Sequence, residues 1–388
     1  MNKTFQDLGV EETILKAVAQ EGYTEPTEIQ QCAIPAILQG RDVIASAQTG
    51  TGKSAAFCLP ILQLLAKAKS DEGYRGIRAL VLAPTRELAV QIEAAFATYG
   101  KHSSLSQTAV FGGIPRKVQI DYLSREIDIL VATPGRLLDL IERGHVDLSA
   151  IRHFVLDEAD TMLNLGFMDD VQRVINLLPK DRQTLLFSAT IPPEISALAQ
   201  AILKDPEKIV VSPKVKTAVG VSQELYWVGS DHKLFLLSYI LKIKGIDSAF
   251  IFTSTKSSAD KIAQTLSMQG FPAEAIHSDR TQRERGEVLE RFKSREVRYL
   301  VATDVVARGI DIDGISHVIN LELPQEPENY IHRIGRTARA GAEGVAITLC
   351  DPKHQDKIKQ IEKLIEQKIP IISTHPFINS VRKFLLKK

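Results

Sequence analysis

The stretch Phe154-Val155-Leu156-Asp157-Glu158-Ala159-Asp160 decides how this chain is read. An apolar run leads straight into three carboxylates within four residues. Acids crowded at a strand end repel one another unless a cation relieves them, which points to a Mg²⁺ site. In a phosphate-binding mononucleotide fold, Asp157 can hold the metal through water while Glu158 positions the attacking water. The plainer account is a strand followed by a solvated acidic turn, because short acidic tetrads are common. The flanking sequence weighs against it.

Upstream, Asp42-Val-Ile-Ala-Ser-Ala47 reads as a short strand. It is followed by Gln48-Thr49-Gly50-Thr51-Gly52-Lys53-Ser54 and a helix expected from about Ala55 to Lys69. Gly50 and Gly52 let backbone N–H groups converge on phosphates at a helix N-terminus. Lys53 can reach the β- and γ-phosphates, and the Ser54 hydroxyl can ligate Mg²⁺. Ala47 occupies the first loop position, where the general pattern has Gly. Earlier still, Phe5 to Leu38 reads as helices broken at Gly22 and restarted at Pro26-Thr27. Thr27 and Gln30 have capping-box spacing. Equally, the Gln30 amide can match N7 and N6 of adenine, and local sequence does not choose between the two.

Downstream, strands and helices alternate. Ala79-Leu-Val-Leu-Ala-Pro84 runs into Thr85-Arg86-Glu87-Leu88; Ala109-Val-Phe-Gly112-Gly113 and Asp128-Ile-Leu-Val-Ala-Thr133 follow, the latter leading to Pro134-Gly135-Arg136; Thr184-Leu-Leu-Phe-Ser188-Ala189-Thr190 comes after the acidic stretch. Continuous apolar runs separated by helices predict a parallel sheet covered on both faces, with ligands at the carboxyl ends of its strands. Lys208 to Ser212 reads as a last strand, and Pro213 to Gly220 as a linker.

Beyond Gly220 the pattern begins again. Ala249 to Ser254 echoes Ala79 to Pro84, Arg298 to Thr303 echoes Ile129 to Thr133, His317 to Leu321 echoes His153 to Leu156, and Gly344 to Leu349 echoes Gln183 to Phe187. The second copy lacks a Gly-Lys-Ser loop, which implies one nucleotide site in the cleft between the copies. It contributes arginine instead. In His332-Arg333-Ile334-Gly335-Arg336-Thr337-Ala338-Arg339, Arg336 and Arg339 have a spacing that lets them share one helical face and contact a triphosphate. The plain alternative is a basic turn paired with surface acids. Expected boundaries are 1–212 for the first domain, 213–220 for the linker, 221–370 for the second domain and 371–388 for a short tail.

Composition agrees with two soluble domains: 388 residues, 44% hydrophobic, and no apolar stretch approaching a membrane span. The start has no signal-peptide core. Three scattered cysteines argue against a disulfide framework or zinc cluster and suit a reducing, cytoplasmic setting. A net charge of +1 means that nucleic acid, if bound, is bound at a local site rather than by a bulk field.

Taken in order, these segments resemble the DEAD-box ATP-dependent RNA helicases. Phe5 and Gly22 to Gln30 resemble the adenine-reading Q motif, and Ala47 to Ser54 motif I. Pro84 to Leu88, Gly112-Gly113 and Thr133 to Arg136 resemble motif Ia, the paired glycines and motif Ib. Asp157 to Asp160 resembles motif II and Ser188 to Thr190 motif III. In the second half, Ile251 to Thr255, Gln282 to Arg285, Thr303 to Asp311 and His332 to Arg339 resemble motifs IV to VI. Ser54 stands for the commoner Thr, Ser278 and Ala338 for the commoner Gly.

The resemblance implies an α/β fold of two tandem RecA-like parallel-sheet domains with a cleft between them, using ATP and Mg²⁺. It implies that Phe5, Thr27 and Gln30 hold adenine, and that Gln48, Thr49, Gly50, Thr51, Gly52, Lys53 and Ser54 hold phosphates. Ser54 and Asp157 would serve the metal, Glu158 would orient water, Arg336 and Arg339 would act as fingers, and Gly309 and Asp311 would border the ribose. Asp160, Ser188, Thr190 and His332 would couple the lobes. RNA would lie against Pro84, Arg86, Gly113, Thr133, Arg136, Thr255, Gln282, Arg285 and Thr303, through phosphate and 2′-OH contacts.

The expected activity is RNA-stimulated ATP hydrolysis with local, non-processive unwinding by a monomer that uses no membrane. An ATP-gated clamp or annealing scaffold is the alternative; a DNA translocase fits less well, and no Asn-Lys-x-Asp guanine signature supports a GTPase. After Leu349, Lys353 to Lys368 reads as a charged helix, and Val381 to Lys388 as a frayed terminus or weak docking segment.

Overall fold

The computed structural model describes residues 3–47, 51–72, 76–211, 220–304, 315–337 and 344–381. The chain divides into two compact units, Met1–Ser212 and Pro213–Lys388. In the first, α1 (Glu12–Gln20) and α2 (Glu28–Leu38) precede β1 (Val43–Ser46) and α3 (Lys53–Glu72). Strands and helices then alternate through β2 (Ala79–Leu82), α4 (Arg86–Tyr99), β3 (Gln107–Val110), α5 (Arg116–Leu123), β4 (Ile129–Ala132) and α6 (Pro134–Glu142). The unit closes with β5 (His153–Leu156), α7 (Ala159–Asn164), α8 (Met168–Leu177), β6 (Gln183–Ser188), α9 (Pro193–Ile202) and β7 (Glu207–Val210).

These strands form a seven-stranded sheet in the order β3-β4-β2-β5-β6-β1-β7. All pairs are parallel. The continuous apolar runs are buried on both faces, as the pleat requires. Ala79 and Val81 of β2 join the core under α2, α3 and α4, whereas Leu80 and Leu82 join the core under α6, α8 and α9. Phe57 of α3 packs on Phe187 of β6, with ring centroids 5.3 Å apart. At the opposite end of the sheet, Arg78 is buried, pairing with Asp128 at 2.6 Å and donating to Leu65 O at 2.9 Å.

The second unit contains β8 (Val221–Trp227), α10 (Lys233–Ile243), β9 (Ala249–Phe252), α11 (Lys256–Met268), β10 (Ala273–Ile276), α12 (Gln282–Lys293) and β11 (Tyr299–Ala302). Next come β12 (His317–Asn320), α13 (Pro327–Ile334), β13 (Gly344–Cys350) and α14 (Gln355–Leu364). Its strand order is β10-β11-β9-β12-β13-β8. Position for position, β10, β11, β9, β12, β13 and β8 take the places of β3, β4, β2, β5, β6 and β1. The duplication read from the sequence is therefore a duplication of sheet order, and β7 alone has no counterpart among the described strands.

Several boundaries differ from expectation. Strand β2 stops at Leu82, before Pro84, which has no N–H to continue the ladder. Helix α3 starts at Lys53 and runs to Glu72, longer than the expected Ala55–Lys69. The charged segment near the end is a short 3₁₀ turn, Pro352–His354, followed by α14, which stops at Leu364; Glu366 then takes φ 53°, which ends the helix before Lys368. Among the described residues no helix is long and apolar enough to cross a membrane.

Strand β5 delivers the acidic stretch, and its first residue carries a pH-sensitive contact. His153 Nδ1 lies 2.9 Å from Gln183 Oε1, while Gln183 Nε2 donates to Ile37 O and Arg41 O. With the amide nitrogen committed to two carbonyls, its oxygen must accept, so Nδ1 carries the proton. Burial lowers the His153 pKa to about 4, partly offset by the Gln183 bond, with Arg78 and Arg152 adding to the depression. A depressed histidine stabilises the fold above its unfolded pKa of about 6.5, and that contribution fades as pH falls toward 4. Between pH 7 and pH 5 the loss is up to about 2 kcal/mol. The urea midpoint of wild type should fall more over this interval than that of His153→Gln; equal falls would remove His153 as the source.

Candidate nucleotide and nucleic-acid site

The strand ends supply the site. Gly52 sits at φ +89° immediately before Lys53, the first residue of α3. Lys53 is buried, and its Nζ donates to Ala47 O at 3.0 Å, spanning the loop from start to finish. Ser54, one residue further on, is half-buried. Gln48, Thr49 and Gly50 lie outside the described residues.

Gln30 is tied to this loop. Its Oε1 accepts from Thr27 N at 2.9 Å, completing the capping box of α2, and its Nε2 donates to Gly52 O at 3.1 Å. The capping account of Gln30 therefore holds, and the amide keeps a second hydrogen and a second lone pair. The fit is tight: a Cβ on Gly52 would lie 2.4 Å from Gln30 Nε2 and 3.2 Å from Thr27 Oγ1. Phe5 is buried in the core that includes Ile29 and Ala33 of α2 and Ala55 and Ala56 of α3.

At the end of β5 the three acids separate. Asp157 is buried, with its Oδ1 accepting from Glu158 N at 2.9 Å. Burial raises its pKa to about 7; Lys53 opposes that rise, and Glu158 and Asp160 add to it. Glu158 then takes φ 50°, ψ 53°, a left-handed conformation costly for a residue with a Cβ. The kink turns the chain into α7 and sends Asp160 elsewhere. Asp160 Oδ2 accepts from Thr190 N and Thr190 Oγ1, both at 2.9 Å, and Ser188 Oγ accepts from Asp160 N at 3.1 Å.

Among the described residues no three His, Cys, Asp or Glu donors converge to encage a metal. A hard ion at Asp157 would take its remaining ligands from the Ser54 hydroxyl and from phosphate and water oxygens, which suits Mg²⁺ and its reluctance to dehydrate. Asp157 fits that role, since a buried carboxylate pushed up to about 7 is held ionised by an adjacent cation.

Along the same sheet edge, Thr85 caps α4, its Oγ1 accepting from Leu88 N at 3.3 Å, and buried Thr133 is the N-cap of α6. Pro84 is buried ahead of Arg86, which opens α4. Gly113 has φ +90°, and a Cβ there would lie 1.9 Å from Arg86 Nη1, so the guanidinium rests directly on the glycine backbone. Arg136 Nη1 and Nη2 both donate to Ile114 O at 3.2 Å. Arg86, Gly113 and Arg136 thus meet at one corner of the sheet.

In the second unit, Thr255 is exposed and caps α11, accepting from Ser258 N at 3.1 Å. Thr303 is buried just past β11, and Arg285 is buried on α12; Gln282 opens α12, its side chain lying outside the described residues. Helix α13 ends at Ile334 with Gly335 as its C-cap, and Thr337 bridges to Ile315. Arg336 therefore sits in a turn beyond the helix and is buried, because Gly335 ends the helix first. Arg339, Ala338, Gly309 and Asp311 lie outside the described residues, as do residues 213–219 of the expected linker.

The neighbouring Arg333, which the sequence left without a role, is fully engaged. It grips Asp304 through Nε at 2.5 Å and Nη2 at 2.9 Å, donates through Nη1 to Asn320 Oδ1 at 3.1 Å and Glu322 O at 2.6 Å, and lies 4.9 Å over the Phe252 ring. Its spacing in the arginine cluster gave no means of telling this internal strut from a phosphate ligand. His332, half-buried, precedes it on the same helix.

A lysine and serine at a glycine loop after β1, a buried aspartate at the end of β5 two strands away and a repeated parallel sheet define a RecA-like nucleotide hydrolase. The family models agree: DEAD/DEAH box helicase matches residues 27–198, and Helicase conserved C-terminal domain matches residues 232–341. The chain is 42% identical over 376 residues to the DEAD-box ATP-dependent RNA helicase RhpA of Helicobacter pylori strain ATCC 700392 / 26695, covering 97% of this chain and 75% of that one. It is 41% identical over 366 residues to the DEAD-box ATP-dependent RNA helicase CshA of Geobacillus kaustophilus, covering 94% and 77%.

Among solved structures it is similar to S. cerevisiae Dbp5 bound to RNA and ADP BeF3, with TM-score 0.86, 31% identity and coverage of 99% and 100%. The DEAD-box helicase Mss116 bound to ssRNA and UDP-BeF gives TM-score 0.86 at 30% identity, with coverage of 100% and 83%. The chain belongs to the DEAD-box ATP-dependent RNA helicases. It is an ATP-hydrolysing enzyme of that family.

Proposed function

We propose that this helicase opens short RNA duplexes locally, through ATP-driven closure of its two lobes on a single strand. The observation that carries the reading is the division of the acidic stretch. On one side of the Glu158 kink, Asp157 lies within the influence of Lys53; on the other, Asp160 is bonded to Thr190. A change at the phosphates can pass through a single turn of chain to the Ser188-Ala189-Thr190 segment. In this reading Phe5, Thr27 and Gln30 hold adenine, Gln48 to Ser54 hold the phosphates, Ser54 and Asp157 hold Mg²⁺, Glu158 orients water, and Gly309 and Asp311 border the ribose. Mg²⁺, when bound, neutralises charge developing on the transferring phosphoryl group.

The second lobe supplies Arg336 and Arg339 to that charge, and His332 meets Asp160, Ser188 and Thr190. RNA lies along Pro84, Arg86, Gly113, Thr133 and Arg136 of residues 1–212, and along Thr255, Gln282, Arg285 and Thr303 of residues 221–370. Solved relatives bound to RNA support the assignment, and so do the helix N-termini at strand ends, at Thr85 and Thr133 in the first unit and at Thr255 in the second. Because ATP and RNA each need both lobes, each raises the affinity for the other. The chain acts as a cytoplasmic monomer, since one copy carries both halves of each site.

The test compares ATP hydrolysis with and without single-stranded RNA, then strand release from duplexes of increasing length. Stimulation by RNA, with release falling steeply as the duplex lengthens, is the expected result. Equal hydrolysis rates would sink the proposal. Locking onto single-stranded RNA by a non-hydrolysable analogue, with no strand release at any length, would make the protein a clamp.

A further inference from the structure

Gln119, on α5, belongs to none of the recognised motifs, yet it is 2% exposed and its amide is used at both ends. Nε2 donates to Phe111 O at 2.8 Å, and Oε1 accepts from Arg136 Nη1 at 3.0 Å. Phe111 directly precedes Gly112-Gly113 and Ile114 directly follows it. Both carbonyls bordering the glycine turn are therefore held, one by Gln119 and one by the arginine that Gln119 orients.

The turn needs outside support. Gly113 has φ +90° and carries Arg86 Nη1 where a Cβ would otherwise stand, so the turn has no side chain of its own with which to anchor itself. Its position is set by what grips the carbonyls on either side. That grip calls for a donor toward Phe111 O and an acceptor toward a guanidinium on one short group, which is what an amide provides. A carboxylate would hold Arg136 and repel the carbonyl; a thioether of similar volume would do neither.

We infer that Gln119 is a positioning residue for nucleic-acid binding: it fixes Arg136 and the Gly112-Gly113 turn as a single rigid corner, so that the backbone of one strand meets both at a set spacing. The inference rests on the proposed assignment of this corner to RNA. Gln119 touches neither ATP nor RNA and acts through Arg136 and the turn.

The test uses the full chain, with steady-state ATP hydrolysis measured against single-stranded oligouridylate and, separately, against ATP. Gln119→Met should raise the oligouridylate concentration for half-maximal stimulation roughly tenfold, the size expected when buried polar partners lose their bonds. The KM for ATP and the RNA-free rate should stay within about twofold of wild type. Gln119→Glu, which keeps the Arg136 bond, should raise it roughly threefold. It carries the same test if Gln119→Met does not fold.

An unchanged half-saturation in a folded variant overturns the inference, and so does a KM for ATP that rises by the same factor, which is general loosening. If wild type itself is not stimulated by oligouridylate, the assignment of the corner to RNA fails first and the role of Gln119 falls with it.

Discussion

Glu158→Gln is expected to slow RNA-stimulated ATP hydrolysis by roughly 10²- to 10⁴-fold while leaving ATP and RNA binding within a few-fold of wild type. The substitution keeps the volume and the left-handed backbone, and removes the group able to take a proton from water. Because that backbone is strained in any residue with a Cβ, a second variant separates chemistry from conformation. Glu158→Gly should relieve strain of about 1 kcal/mol or more, raise the unfolding midpoint slightly, and be as inactive as the glutamine variant. Single-turnover hydrolysis, equilibrium binding of a non-hydrolysable analogue and of RNA, and urea unfolding read these quantities. A Glu158→Gln rate within tenfold of wild type would remove Glu158 from the reaction.

Arg336→Lys is expected to cost roughly 10³ to 10⁵ in the rate of hydrolysis, the range in which arginine fingers act. Lysine retains the charge and loses the planar, forked donor set that matches phosphoryl oxygens in pairs. The informative control is next door. Arg333 is bonded to Asp304, Asn320 and the Glu322 carbonyl and covered by Phe252, so Arg333→Lys should show mainly as a loss of stability. The two variants should therefore differ in kind: one folded and slow, the other easier to unfold. If Arg336→Lys lost stability as Arg333→Lys does and kept its catalytic rate when folded, the finger would be another strut.

That pair also marks how far the sequence could be read. The parallel sheets and their repetition were legible because doubly buried parallel strands need unbroken apolar runs, and four of those runs recur in the second half in the same order. The Asp160–Thr190 pair was singled out only through the family resemblance, which implied both as coupling residues; nothing in their local sequence pointed to the bond between them. The phosphate loop was legible because it depends on residues close together in the chain. The differing fates of Arg333 and Arg336 were not, since they depend on where Gly335 stops α13 and on Asp304 reaching Arg333 from another element. Gln119 was hidden for a similar reason: a lone glutamine on a short polar helix carries no pattern, and both its partners come from other segments. The way the three acids part was hidden too, because a left-handed residue in the middle of the stretch cannot be foreseen from spacing.

The strand β7 gives the two halves of the duplication different edges. In the first unit it pairs with β1, so the strand that leads into Gly52 and Lys53 is laddered on both sides. In the second, β8 holds the corresponding outer place, paired with β13 and capped on its free side by a short strip in which Leu225 N donates to Pro370 O and Ile372 N to Leu225 O, both at 2.8 Å. Amide protons of Val43 to Ser46 should outlast those of Val221 to Trp227 in deuterated water, because the outer strand can peel away from one neighbour without breaching its core. The copy that retained the phosphate loop is the one whose loop-bearing strand became an interior beam, while its sister kept a hem that can be unpicked.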